Sequence, residues 1–114
     1  MTRKQIEAAK KTLPPWGHRN PEHWRLDTEL DCREMINSCL LYNSIDAFWR
    51  ECEWRFGDKS YAAPFVRELG KARVQELVAE QEADFAEAII RRCVYTDCEG
   101  LSYDSITWAD EISA

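Results

Sequence analysis

Glycine and proline are scarce, four of each in 114 residues, which excludes collagen-like and linker-like chains. No apolar run approaches the ~20 residues that a membrane-spanning helix needs. The opening Met1-Thr2-Arg3-Lys4-Gln5-Ile6-Glu7 leads into no apolar stretch, so no secretory leader is expected. Glycine-rich phosphate cradles, the dinucleotide fingerprint, His-Glu-x-x-His, the calcium loop and the nucleophile elbow are all missing. Histidine is limited to His18 and His23. Cysteine is present in an odd number, five, without an export signal, which points to free thiols in a reducing cytoplasm rather than a disulfide framework. What remains is a 45% hydrophobic, 32% charged chain, the balance of one folded domain over residues 1–114.

The punctuation divides the chain into helices. Thr2 with Gln5 three residues on makes a capping box for a helix over about residues 3–12, which Pro14-Pro15 then ends. Residues 13–26, with Trp16, Trp24 and both His, read as an irregular connection that wraps the helices and buries one Trp. A second helix is expected from Asp27 or Thr28 to Tyr42, with Cys32, Met35, Ile36, Cys39, Leu40 and Asn43 on one face. Ser44 caps a third helix reaching Phe56, and the short Asn43-Ser44 link pairs the two as a hairpin. A longer helix from about Pro64 to Glu87 carries Gly70, which predicts a kink or two abutting helices. The β-branched and aromatic texture around Cys93-Val94-Tyr95-Thr96 and Ser102–Trp108 predicts a β-hairpin with strands over 89–96 and 101–108. The expected class is therefore α+β: a mainly helical domain of about four helices with a carboxy-terminal β-hairpin. A lone ribbon is marginal in water, so it must pack on the helices or pair with a second copy in a homodimer.

Charge is unevenly placed. Residues 1–67 hold 11 Lys/Arg and 10 Asp/Glu, and residues 68–114 hold four and 11, so the two stretches carry +1 and −7. Glu76, Glu80, Asp84 and Glu87 stand at i, i+4, i+8 and i+11, within about 80° of helical arc. No Lys or Arg occurs from Gln75 to Ile90 to relieve them along the helix. The sequence thus offers these four carboxylates as a partner-binding face, with a solvated surface as the plain alternative. Trp54, nine residues after Ile45 and so about 180° from the core face of its helix, is the second contact candidate unless a loop covers it.

Chemistry-bearing constellations are few. A Cys–His dyad is disfavoured because the Cys fall on apolar helix faces, where desolvation penalises a thiolate. No catalytic residue is assigned. His18, His23, Cys93 and Cys98 could together make a tetrahedral zinc site joining the early loop to the ribbon, but the tight Cys-x-x-Cys spacing of zinc knuckles is absent. The expectation is no cofactor and no metal, with a zinc-stabilised structural or assembly domain as the alternative.

Small, acidic, Trp-rich chains without a catalytic signature resemble accessory proteins of bacteriophages and mobile elements, anti-CRISPR proteins among them. The stretches Val94-Tyr95-Thr96-Asp97-Cys98-Glu99-Gly100 and Ser105-Ile106-Thr107-Trp108-Ala109-Asp110-Glu111 are similar to short proteins of such elements in gut bacteria. The resemblance transfers a role to no residue. Joined to the charge split, it implies a non-enzymatic cytoplasmic inhibitor or binding protein. Its acidic half would dock on a basic, nucleic-acid-handling protein, with no direct contact to nucleic acid or membrane.

Overall fold

The computed structural model describes residues 1–52, 62–90 and 106–108. The first helix, α1, spans Arg3–Lys11, and the expected capping box is formed: the Gln5 amide donates to Thr2 Oγ1 at 3.3 Å and the Thr2 amide to Gln5 Oε1 at 2.9 Å. A single 3₁₀ turn, Trp16–His18, follows the proline pair.

The second helix, α2, spans Pro21–Tyr42 and starts six residues earlier than the Asp27 boundary. Asn20 is the reason. Its side-chain oxygen accepts from the His23 amide at 3.0 Å, its own amide donates to His23 Nδ1 at 3.2 Å, and Pro21 supplies a first helical residue with φ already set. A helix α3, Ile45–Cys52, packs against α2 after Ser44 Oγ accepts from the Ala47 amide at 3.2 Å. Its expected continuation to Phe56 lies outside the described residues, as does Trp54.

The long fourth helix is two helices, α4 (Ala63–Leu69) and α5 (Lys71–Ala86), meeting at Gly70. Gly70 has φ +84° and ψ 148°, a backbone region that only glycine occupies without strain, and the turn it makes lets α4 and α5 pack on each other.

α2 is the centre of the molecule. It touches α1, α3, α4 and α5, so it carries apolar residues around much of its circumference rather than along one stripe. The core joins Cys32, Ile36 and Cys39 of α2 to Phe48, Leu69, Val74, Leu77 and Val78 of its neighbours. Asn43, placed on the apolar face by periodicity, is exposed beyond the end of α2.

The α+β expectation is corrected. Five α-helices dominate the described residues, and extended pairing among them is a two-residue antiparallel contact, Ile89 opposite Thr107 and Ile90 opposite Ile106. That is no ribbon of eight-residue strands, and residues 91–105 lie outside the described part. The physical reason is tertiary: Trp108 is drawn under the helices, 1% exposed, with its ring edge-on to Phe85 at 6.4 Å. Trp108 itself is thus held by the helical core and not by strand pairing.

Candidate functional site

Gln81 on α5 is fully buried and fixes how this helix sits on α2. Its Oε1 accepts from Arg33 Nη1 at 2.9 Å, and its Nε2 donates to Asn37 Oδ1 at 2.8 Å and to the Met1 carbonyl at 3.0 Å. With Leu77, Val74 and Val78 also turned inward, the opposite side of α5 is set towards water. Glu76 and Glu87 lie furthest from the core direction, Glu80 lies between, and Asp84 sits at the boundary, half-buried.

The expected absence of relief along this row is corrected. Arg73, one turn earlier on α5, reaches Glu76 Oε2 at 2.8 Å and also chelates Glu29 of α2 at 2.8 and 3.1 Å. The buried Arg33 of α2 meets Glu80 Oε2 at 2.7 Å. Asp84 accepts from the amino terminus of Met1, whose ammonium also donates to Gln81 Oε1 at 2.8 Å. A count that starts at Gln75 stops short of Arg73, and a count along one helix cannot show Arg33 or the amino terminus arriving from elsewhere. The pairing is strong enough to hold the Glu29 carboxyl below the usual carboxylate range, chiefly through its hydrogen bonds to Arg73.

The four carboxylates therefore divide by what they touch. Glu80 and Asp84 neutralise charges of the chain itself. Glu76 keeps 64% of its side chain in water despite Arg73, and Glu87, together with the exposed Glu82, makes no ion pair among the described residues. Glu80 is half in water at 51%, so its carboxylate also reaches the water-facing side of α5.

A second surface was not foreseen. The expected burial of one Trp of residues 13–26 is not found: Trp16, in the turn before α2, is 66% exposed and Trp24, on the first turns of α2, 40%, with ring centroids 4.9 Å apart and planes tilted by 51°. Arg19 lies under both rings, its guanidinium carbon 4.3 Å from the Trp16 centroid and 5.4 Å from that of Trp24. It is held there by Asp27 Oδ2 at 2.8 Å and the Pro14 carbonyl at 2.9 Å. The readable signal was Asn20-Pro21, a cap and a first-turn proline, which start the helix early and place Trp24 on its first turns. Beside Trp24 lies an open cleft of about 360 Å³ bounded by Pro21, Arg25, Thr28, Glu68 and Leu69.

A larger cleft of about 540 Å³ between α2 and α3 is lined by Met35, Cys39, Phe48, Arg50 and Glu51 among others. Its thiol is a poor nucleophile, since burial pushes the Cys39 pKa up, as it pushes Cys32 up to about 12. Among the described residues no three His, Cys, Asp or Glu side chains come together as a metal site. His23 commits Nδ1 to its helix cap, and Cys93 and Cys98 lie outside the described residues. No helix among the described residues is long and apolar enough to cross a membrane. Comparison with family models, curated proteins and solved structures finds no match.

Proposed function

We propose that this chain is a non-enzymatic, cytoplasmic binding protein whose acidic carboxy-terminal half docks on a basic surface of a nucleic-acid-handling protein. The role is that of an inhibitor or accessory factor of the kind carried by phages and mobile elements. The observation that carries the reading is the row Glu76, Glu80 and Glu87 on the water-facing side of one helix, which Gln81 and the Arg73–Glu29 pair fix in place. Carboxylates aligned along a helix of fixed rotation compete for a groove built to receive phosphates. The inward-facing, high-pKa thiols of Cys32 and Cys39 and the separation of both His onto the Trp surface favour binding over catalysis.

The test follows from the division of the row. Glu76→Gln and Glu87→Gln in the row, with the exposed Glu82→Gln on another side of the same helix, remove charge without exposing Arg33 or the amino terminus. A partner captured with the tagged chain at low salt is expected to be basic and to elute as salt rises. The triple variant should keep its thermal midpoint, bind that partner more weakly and show a flatter dependence of Kd on salt. A neutral or acidic partner, or an unchanged salt slope in the triple variant, rejects the reading.

A further inference from the structure

We infer that the Trp16–Trp24 surface is the aromatic end of the same docking face, receiving Arg or Lys side chains of the basic partner on its exposed indole rings. This rests on the reading just given and extends it to a second set of residues.

The ligand chemistry is displayed within the molecule. Arg19 already occupies one side of the pair as a guanidinium over indole, 4.3 Å from the Trp16 centroid, and the rest of Trp16 stays 66% exposed with the same electron-rich face. The positive charge of Arg19 is answered by Asp27, both side chains being nearly buried, so it does not repel an incoming cation as a bare guanidinium would. The exposed Glu68 carboxylate lines the cleft beside Trp24, where Arg25 is turned to Glu29, and favours one. The pair is also rigidly presented. The Asn20–His23 cap fixes the start of α2, and the Pro14 carbonyl and Asp27 fix Arg19, so little order remains to be imposed on binding.

Continuity joins this end to the acidic row. Arg25 stands 3.7 Å from Glu29, Glu29 is chelated by Arg73 at 2.8 Å, and Arg73 holds Glu76 at 2.8 Å. This chain of charges leads from the first turns of α2, where Trp24 sits, to the first carboxylate of α5. From Glu76 to Glu87 the row runs a further ~16 Å at 1.5 Å per residue. An aromatic anchor beside a charged row of this length suits a protein interface of ordinary size, about 800 Å² on each partner. Single-stranded nucleic acid fits less well. The rings are tilted by 51° and offer no common plane to successive bases.

The experiment uses a glycine-spaced arginine peptide as probe, titrated into the isotopically labelled full chain while indole and backbone N–H signals are followed. The peptide is expected to move the Trp16 and Trp24 indole signals together with amides between Glu76 and Glu87. Trp16→Ser and Trp24→Ser should each weaken the peptide about three- to tenfold, with an unchanged slope of Kd against salt. Trp24→Ser sits in α2 and could loosen its start; Trp16→Ser lies outside every α-helix and decides the matter alone. If the α5 amides move and the indoles do not, or if Trp16→Ser leaves Kd unchanged, the aromatic end is refuted while the acidic-row reading stands. If the indoles move and no α5 amide does, the acidic row and the joined face fall together. If oligo-thymidine moves the indoles and the arginine peptide does not, the surface reads nucleic acid and the inference is overturned.

Discussion

Replacing Gln81 with Leu should be among the most damaging single changes available on α5, although Leu matches Gln in size and is the better helix former. The side chain is completely buried and makes hydrogen bonds with both its atoms, to Arg33, Asn37 and Met1. Leu removes the acceptor of Arg33 Nη1 and the donor to Asn37 Oδ1, and each buried group that loses its partner costs about 1–3 kcal/mol. Burying an apolar group in place of an amide returns about 1 kcal/mol. The net expectation is a loss of about 3 kcal/mol, a large share of the ~5–15 kcal/mol that holds a domain of this size. Urea unfolding followed by far-ultraviolet circular dichroism reads it directly, with an earlier midpoint and an unchanged slope. The pair Arg33→Met with Gln81→Leu supplies the control. It removes the guanidinium along with its acceptor and releases Glu80 to water, so it should be less destabilised than Gln81→Leu alone. A Gln81→Leu protein within ~0.5 kcal/mol of the natural chain, or a double variant worse than the single, would show that this network does not hold α5 on α2.

Gly70→Ala should cost about 2 kcal/mol through backbone strain alone, because φ is +84° and a Cβ there meets nothing within 4 Å; Gly17→Ala, at ordinary φ with the same open space, serves as the neutral reference in thermal melts. Stability should fall on the alkaline side: Cys32 ionises near pH 9 when unfolded and only near 12 when buried, so its contribution is complete below pH 9. It is lost progressively between 9 and 12, at about 1.4 kcal/mol per unit, and Cys32→Ala should flatten that slope in denaturation series across this range. Trp108→Phe should stay within about 1 kcal/mol of the natural chain, since the lost ring volume is offset by removal of an indole N–H that finds no acceptor among the described residues. Trp108→Ala should lose about 3–5 kcal/mol in the same melts.

Local signals were legible where they were local in cause. Thr2 and Gln5 cap α1, Ser44 starts α3, and Gly70 divides the long helical stretch, each through groups within a few residues of one another. The start of α2 is as local, set by Asn20 and Pro21, but the aromatic residues beside that cap are of the types that a wrapping loop also holds. The face of α2 was less legible, because a helix touched by four others has no single apolar stripe. Arg33 and Asn37, polar by type, are buried where α5 supplies Gln81. Ile106 and Trp108 share one strand-like texture yet part company: Ile106 pairs with Ile90, and Trp108 is buried against Phe85, because a ribbon and a helical core ask for the same residue types.

The acidic row shows how a one-dimensional reading of charge goes astray in a packed structure. Glu80 looks like surplus on α5 and is the counter-charge of Arg33 on α2; Arg73 looks like an isolated cation and binds Glu29 and Glu76 at once. A helix tied to its neighbour through such crossed pairs keeps a fixed rotation, and that rotation is what aligns Glu76 and Glu87 outward. Two of the four carboxylates thus position the others. Neutralising all four together would mix a folding effect with a binding effect, since Glu80→Gln weakens the hold on a buried guanidinium while Glu76→Gln disturbs a surface pair worth at most about 0.5 kcal/mol. The separation is measurable: Glu80→Gln should lower the thermal midpoint before it alters any salt slope, and Glu87→Gln should do the reverse. Equal effects of the two substitutions on both quantities would contradict the division of the row.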